Sequence, residues 1–432
     1  MPNKPVLQVA LDVMNLHRAL QIAKEAVLGG VDWIEAGTPL IKSEGLESVR
    51  ELKRTFPSHT IVADMKTMDV GTVEVEMASK AGADVICIMG VADDATITEA
   101  VKAGRRYGSK IMVDLLGSSD PNKRAKDMEN FGADFVCLHV GVDQQMKKVE
   151  ALEDVRKVAE EVNIPVACAG GLNSETAIEV VEAGAMIIII GSAIIKSPDV
   201  TLAAKTLKKT ISQKKAISSE LFRKYGQEEL QEAFLKVSTP NIADAMHTKG
   251  AMKGITPRIK HGTKMAGKAI TVRTIDGDWA KPVEAIDRCD NNEVLVIDAG
   301  GGHIAIWGEL ASWSSKKKGI AGVVIDGAAR DIDDILEMEF PIFSRHVAPN
   351  AGEPKGHGEI GCEITCGEQV VRTGDWIIGD ESGVVVVPRE DAVEIANRAL
   401  DVHERENRIR EEIKRGSTLS EVLKLKKWEK IG

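Results

Sequence analysis

The sequence predicts an α/β protein in two parts: an N-terminal (β/α)8 barrel and a C-terminal α/β domain of different design. Three observations carry this. Eight short runs rich in β-branched residues recur at regular intervals over residues 1–212, with helical, charge-patterned stretches between them. Polar residues fall repeatedly at the C-terminal ends of those runs. Beyond residue 236 the rhythm changes and glycine becomes dense.

The predicted barrel strands are residues 6–12, 33–37, 60–66, 85–90, 110–115, 135–140, 165–170 and 186–191. Helices such as Leu16–Leu28 and Lys147–Val162 carry apolar residues at helical spacing. Glycine-containing breaks, Gly29-Gly30 and Ala81-Gly82-Ala83 among them, follow several helices as C-caps do. An open doubly wound sheet is the alternative, and eight even units favour closure. Residues 198–235 read as the last barrel helix followed by a helical connector at 213–235. The second domain, 236–432, shows strands at Gly267–Thr274, Glu293–Asp298, Gly322–Asp326, Pro341–Ser344, Gly358–Thr365 and Gly383–Pro388. It ends in a charged amphipathic helix, Pro388–Arg415, whose mixed charges suit packing on a neighbouring element rather than on a membrane.

Composition narrows the function. The 432 residues carry a formal net charge of −10, and aromatics make up 3% with two Tyr. Both argue against nucleic-acid binding, which needs a basic face or stacking platforms. The six cysteines (87, 137, 168, 289, 362 and 366) read as buried free thiols of a reducing compartment, and Cys362 with Cys366 lacks a second pair at zinc spacing. The N-terminus has no signal-peptide pattern, and the longest apolar run, Ala185 to Ile195, is too short to span a bilayer. The expectation is a soluble cytoplasmic protein with no membrane partner.

Asp12, Glu35, Asp64, Lys66, Asp114 and His139 all stand at or just past strand C-termini, the edge that becomes the mouth of a barrel. Asp64 and Lys66 share a strand face. A lysine among carboxylates keeps its proton, so Lys66 suits anion stabilisation or proton delivery better than Schiff-base chemistry. A structural ion pair is the alternative for that local motif. Glu35 and Asp64, on adjacent strands, suit Mg2+ or Mn2+, with substrate oxygens completing the shell. His139 is a candidate general base. Strands seven and eight end in Ala169-Gly170-Gly171 and Gly191-Ser192, the place where such barrels hold a phosphate.

These residues carry a resemblance. Residues 5–212 resemble the orotidine-monophosphate decarboxylase suprafamily, and within it the 3-hexulose-6-phosphate synthase branch. The carriers are Leu7-Gln8-Val9-Ala10-Leu11-Asp12, Ile34-Glu35-Ala36-Gly37-Thr38-Pro39, the Asp-x-Lys-x-x-Asp of 64–69, His139-Val140-Gly141-Val142-Asp143, and Ala169-Gly170-Gly171. Asp114, Val142, Ala169 and Ser192 depart from the pattern of the sibling 3-keto-L-gulonate-6-phosphate decarboxylases. The resemblance implies a Mg2+-dependent aldol reaction between ribulose 5-phosphate and formaldehyde, or its reverse. It implies that His139 takes the C1 proton and that Glu35 and Asp64 hold the metal. Lys66 then bonds the reacting oxygens, Asp12 a substrate hydroxyl, and Asp69 reaches into the site of a partner barrel, making a dimer.

In the second domain, Glu309-Leu310 is followed after twenty residues by Arg330-Asp331. An arginine can hold a carboxylate while the aspartate holds a metal; an exposed ion pair is the alternative. Residues 236–390 resemble the ribonuclease E activity regulator A-like family, which includes class II 4-hydroxy-4-methyl-2-oxoglutarate aldolases. The carriers are residues 238–245 (Ser-Thr-Pro-Asn-Ile-Ala-Asp-Ala), Gly267 to Arg273, Val294 to Asp298, and Gly374-Asp375 through Val387-Pro388. The resemblance implies that Arg330 binds a pyruvate-like carboxylate, Asp331 a second divalent metal, and amides near Glu309-Leu310 an enolate, with Glu309 standing where the aldolases have Asp. It leaves three roles open: a 2-oxo-acid lyase, a ribonuclease regulator, or an assembly module. Dimeric barrels joined to trimeric second domains imply a hexamer.

Overall fold

The computed structural model describes residues 4–141, 152–215, 217, 223–414, 416–423 and 425. The chain divides into two compact units, Met1–Lys224 with Glu404–Gly432, and Tyr225–His403. The stretch assigned from sequence wholly to the second domain is therefore shared: from Glu404 onward it belongs to the barrel unit. The cause lies in named contacts. Arg408 is buried and donates to the carbonyls of Ser197 and Pro198, while Glu412 pairs with Arg18 at 2.6 Å.

In the first unit, β1 (Val6–Leu11), β2 (Trp33–Ala36), β3 (Thr60–Thr67), β4 (Val85–Met89), β5 (Lys110–Asp114), β6 (Phe135–His139), β7 (Val166–Ala169) and β8 (Ile187–Ile190) close into a parallel barrel, β8 pairing with β1. All eight expected strands form. The helix Leu16–Leu28 forms as read, and Leu152–Glu161 supplies the described part of the expected 147–162 helix. Side chains alternate between two cores. Val6, Ala10, Val62, Val85, Cys87, Met112, Phe135, Cys137, Ala167, Ile187 and Ile189 fill the barrel. The intervening residues pack under the helices.

A repeat inside the sequence pins this register. Gly30, Gly82, Gly132 and Gly184 each take positive φ before an even-numbered strand, at +93°, +102°, +88° and +109°. Two residues on come Asp32, Asp84 and Asp134. Each carboxylate accepts the N–H of the preceding odd strand, from Leu7, Ile61 and Ile111, at 2.8, 2.8 and 2.9 Å. The fourth position is Met186, with no carboxylate. The unit thus repeats as strand pairs, the first three cross-tied by a carboxylate at the rim opposite the mouth.

The second unit is built on the sheet β19-β18-β10-β11-β13-β14-β9. Its centre, β10 (Met265–Arg273), β11 (Val294–Asp298), β13 (Gly322–Ala329) and β14 (Ile342–Val347), is parallel. Its flanks, β9 (Thr256–Arg258), β18 (Trp376–Asp380) and β19 (Gly383–Val387), are antiparallel. β12 (Ala305–Trp307) adds to β13. The single strand expected at Gly358–Thr365 is two: β15 (Glu359–Ile360) pairs with β10, and β16 (Ile364–Cys366) pairs with β17 (Gln369–Val371) in a separate ribbon. Gly361, at φ +91°, breaks the run while its N–H bonds Thr271. All six cysteines are free thiols, and all but Cys362 are buried.

Candidate active site

The barrel mouth gathers six of the predicted side chains, and strand geometry explains each. β3 bulges between Asp64 and Thr67 where it pairs with β4, and Lys66 takes the left-handed conformation (φ +49°). For a non-glycine residue that conformation is a local cost, of the kind that persists at functional sites. The bulge lets Lys66 Nζ reach Asp64 Oδ1 at 3.1 Å and Asp114 Oδ2, from β5, at 2.8 Å. Asp114 Oδ2 also meets His139 Nδ1, from β6, at 3.0 Å, and its Oδ1 accepts the Leu116 N–H. Asp114 therefore ties a lysine and a histidine from two other strands to one carboxylate.

Electrostatics follow from this wiring. Burial alone raises a carboxyl, but the His139 hydrogen bond, the His139 charge and Lys66 outweigh it and hold Asp114 down at about 2. Burial opposes the Lys66 charge, and Asp64 and Asp114 more than compensate, so its pKa rises and the ammonium persists. With Nδ1 turned to a carboxylate, Nε2 is the His139 ring atom placed for proton transfer.

Glu35, on β2, is buried, and its Oε2 accepts from Gln8 Nε2 at 2.6 Å. Burial, then the negative charges of Asp64 and Asp12, push its pKa well above the ordinary carboxyl value. Asp64 also accepts from Thr38 Oγ1 at 2.7 Å. Asp12 is exposed as a residue, yet its carboxylate lies between two glycines: a Cβ at Gly37 would overlap Oδ1, and one at Gly191 would stand 3.2 Å from Oδ2. The surrounding protein and then Asp64 raise its pKa. The mouth thus crowds acidic groups around one lysine, and hard oxygen donors on adjacent strands suit a divalent cation that would relieve the crowding. Among the described residues no three His, Cys, Asp or Glu side chains come together to hold a metal unaided, so such an ion needs oxygens from substrate or water.

The other predicted residues fall as follows. Gly170 (φ +102°) and Gly171 (φ +70°) end β7, and Gly170 leaves room for the Val140 carbonyl. Gly191 and Ser192 end β8 and open the short helix Ser192–Ile195. Asp69 is outside the cluster: it is exposed, and its Oδ1 accepts the Val70 N–H. Val142 and Asp143 lie outside the described residues. Sequence reasoning missed Gln8. The signal was there, because an amide in an apolar strand shares the inward face with Asp12, four residues on.

In the second unit Arg330 Nε stands 3.3 Å from Asp331 Oδ2, which also accepts the Glu309 N–H at 3.2 Å. The Arg330 and Asp331 side chains are 43% and 35% exposed, and Leu310 is 80% exposed. The three predicted elements do meet, since Glu309 opens the helix Glu309–Lys318 and Asp331 precedes Ile332–Glu337. The arrangement offers a metal one carboxylate whose Oδ2 already accepts the Glu309 N–H and faces the Arg330 charge, which is a poor fit for a metal centre.

A parallel barrel whose mouth carries a histidine, a lysine and carboxylates on separate strands is the architecture of an enzyme equipped for acid–base chemistry. The chain belongs to the orotidine 5'-phosphate decarboxylase / HUMPS family, which matches residues 5–207. Residues 239–386 match the RraA-like family, Aldolase/RraA. The 3-hexulose-6-phosphate synthase of Mycobacterium gastri is 41% identical over 206 residues, covering 48% of this chain and 99% of the relative. That of Bacillus subtilis is 38% identical over 208 residues, again 48% and 99%. A crystal structure of 3-hexulose-6-phosphate synthase aligns with 41% identity and a TM-score of 0.46, over 48% of this chain and 99% of the other. The relatives are lyases, and each corresponds to the barrel. No helix among the described residues is long and apolar enough to cross a membrane.

Proposed function

We propose that the barrel joins ribulose 5-phosphate to formaldehyde, giving D-arabino-3-hexulose 6-phosphate, or runs the reverse cleavage. The observation that carries this reading is the Lys66–Asp114–His139 chain. In the forward direction His139 Nε2 removes a C1 proton from ribulose 5-phosphate, leaving the enediolate. C1 then attacks the formaldehyde carbon, and the new alkoxide takes a proton. Lys66 remains an ammonium and donates to the developing oxyanion, while Asp114 steadies the imidazolium. Asp12 positions a substrate hydroxyl, and the loops Gly170-Gly171 and Gly191-Ser192 receive the phosphate. Glu35 and Asp64 would hold Mg2+ or Mn2+, which when bound supplies Lewis-acid stabilisation to the enediolate oxygens. A 3-keto-L-gulonate-6-phosphate-type decarboxylation is the alternative for the same groups.

Exposed apolar residues beside Asp69 support a dimer in which Asp69 serves the neighbouring site. Met68, Val70, Val73 and Met77 are each at least half exposed, and Val73 and Met77 share a face of the helix Gly71–Lys80. With a trimeric second unit the assembly would be a cytoplasmic hexamer. The second unit itself serves as a 2-oxo-acid lyase, a ribonuclease regulator or an assembly module; its single engaged carboxylate at Asp331 weighs against the first.

The test is formaldehyde consumption with ribulose 5-phosphate and Mg2+. Asp64→Ala should abolish it and Arg330→Ala should leave it unchanged. No consumption by the wild type, in either direction and with either metal, would move the assignment to the decarboxylase.

A further inference from the structure

Gln8 is an unusual residue to find where it is. It stands on β1 inside the barrel, is fully buried, and is flanked on its face by Val6 and Ala10 of the apolar interior. Its Nε2 donates to Glu35 Oε2 at 2.6 Å, while its Oε1 is buried with no hydrogen-bond partner among the described residues. A methionine or leucine would fill the same space without stranding a carbonyl oxygen. The donor half of the amide is therefore the half in use, and it has one acceptor, the Glu35 carboxylate. Glu35 in turn shares the mouth with Asp64, Asp12 and Lys66.

From this geometry we infer that Gln8 is a positioning residue: it pins Oε2 of Glu35 from below and so aims Oε1 at whatever is bound in the mouth. Rotation of the carboxylate about its terminal torsion is broad when unrestrained. A short hydrogen bond from a rigid strand removes that freedom, and a group misplaced by about 1 Å can cost a hundredfold in rate. When Glu35 is ionised, the amide cannot turn over without setting Oε1 against a carboxylate oxygen. The inference deepens the reading of the barrel as a metal-assisted synthase and rests on it.

The experiment is a double-mutant cycle on the full chain with Gln8→Met, Glu35→Gln and the pair. Two readouts are taken: kcat and KM for ribulose 5-phosphate with formaldehyde, and Mn2+ affinity by electron paramagnetic resonance without substrate. Melting temperature and circular dichroism accompany both, and Gln8→Leu replaces methionine if that variant does not fold. The expected result is a loss of about tenfold or more in kcat or in Mn2+ affinity for Gln8→Met, with Tm unchanged or raised, and no further loss when Glu35 is already glutamine. The same loss in both backgrounds overturns the inference, because a packing role would not depend on the carboxylate. So does equality of Gln8→Met with the wild type in both readouts. A wild type that binds Mn2+ but leaves formaldehyde untouched sinks the synthase reading alone, and Mn2+ affinity then decides the role of Gln8. A wild type that does neither overturns both.

Discussion

The barrel mouth and the Arg330 ledge both set an acid beside a base, and they do so in different ways. At the mouth, Lys66, Asp114 and His139 come from three strands, with sequence separations of 48 and 25 residues along the two contacts. Their side chains are 23%, 5% and 22% exposed. On the ledge, Arg330 and Asp331 are chain neighbours, and their side chains are 43% and 35% exposed. An arrangement assembled over such separations and largely withdrawn from water exists only because the whole barrel holds it, and each charge is worth more there. A contiguous, wet pair is available to any loop and is screened. The first is therefore an arrangement that one unit holds together by itself. The second leaves its groups open to water.

Short of removing Asp64, the largest effect should come from cutting the mouth at its shared carboxylate. Asp114→Asn keeps the shape but replaces the acceptor that orients His139 Nδ1 and anchors Lys66. The expectation is a fall in kcat of about 10²–10⁴-fold with the fold intact, the range seen when a buried carboxylate behind a catalytic histidine is neutralised. Steady-state turnover beside far-UV circular dichroism reads it. If Asp114→Asn keeps wild-type turnover while Arg330→Ala loses it, the two sites have been assigned the wrong way round.

How much of this contrast lay open in the sequence depends on the range of the contact. The six mouth residues were legible because strand ends in a closed parallel barrel must converge, so position along each strand sufficed. The Asp114 hub was not, since no pattern in one strand states which neighbour its carboxylate will choose. Nor was the bulge at Lys66, whose positive φ breaks the alternation that placed it beside Asp64. In the second unit β18 went unread. It is five residues long, and its signal is a tight hairpin to β19 closed by Glu381-Ser382, with the Ser382 N–H on Asp380. Gly361 split an apparent strand because a glycine's φ cannot be read from its neighbours. The tie between Glu412 and Arg18 spans nearly the whole chain, beyond any local rule.

A second contrast concerns stability. Asp278, in the second unit, is 1% exposed and accepts N–H bonds from Ala280, Lys355, Gly356 and His357. Burial opposes its charge, but these four bonds win and hold its pKa far below the ordinary value. A depressed carboxylate stabilises the fold fully above its unfolded pKa of about 3.9, and that contribution fades as pH falls toward the folded value. Asp114 has the same sign in the barrel, fading between about 3.9 and about 2. Asp278→Ala should cost roughly 3 kcal/mol at pH 7, since one acceptor serves a whole loop. It should also flatten the acid loss of the second unit's melting transition below pH 4 and leave turnover at the mouth unchanged. A variant as acid-sensitive as the wild type would show that Asp278 does not carry the transition.

The smallest effect separates charge from backbone on the ledge itself. Asp331 sits at φ +56°, in the left-handed region. Asparagine tolerates that region and keeps an oxygen for the Glu309 N–H, so Asp331→Asn should shift stability by no more than about 0.5 kcal/mol, the scale of an exposed pair. Alanine adds a Cβ penalty without a local hydrogen bond and should cost about 1 kcal/mol more. Glycine, which lacks the penalty, should recover most of that difference. Urea unfolding of the three variants orders them. If asparagine is as costly as alanine, the Arg330–Asp331 charge pair is stronger than its exposure allows, and the ledge is a built site after all.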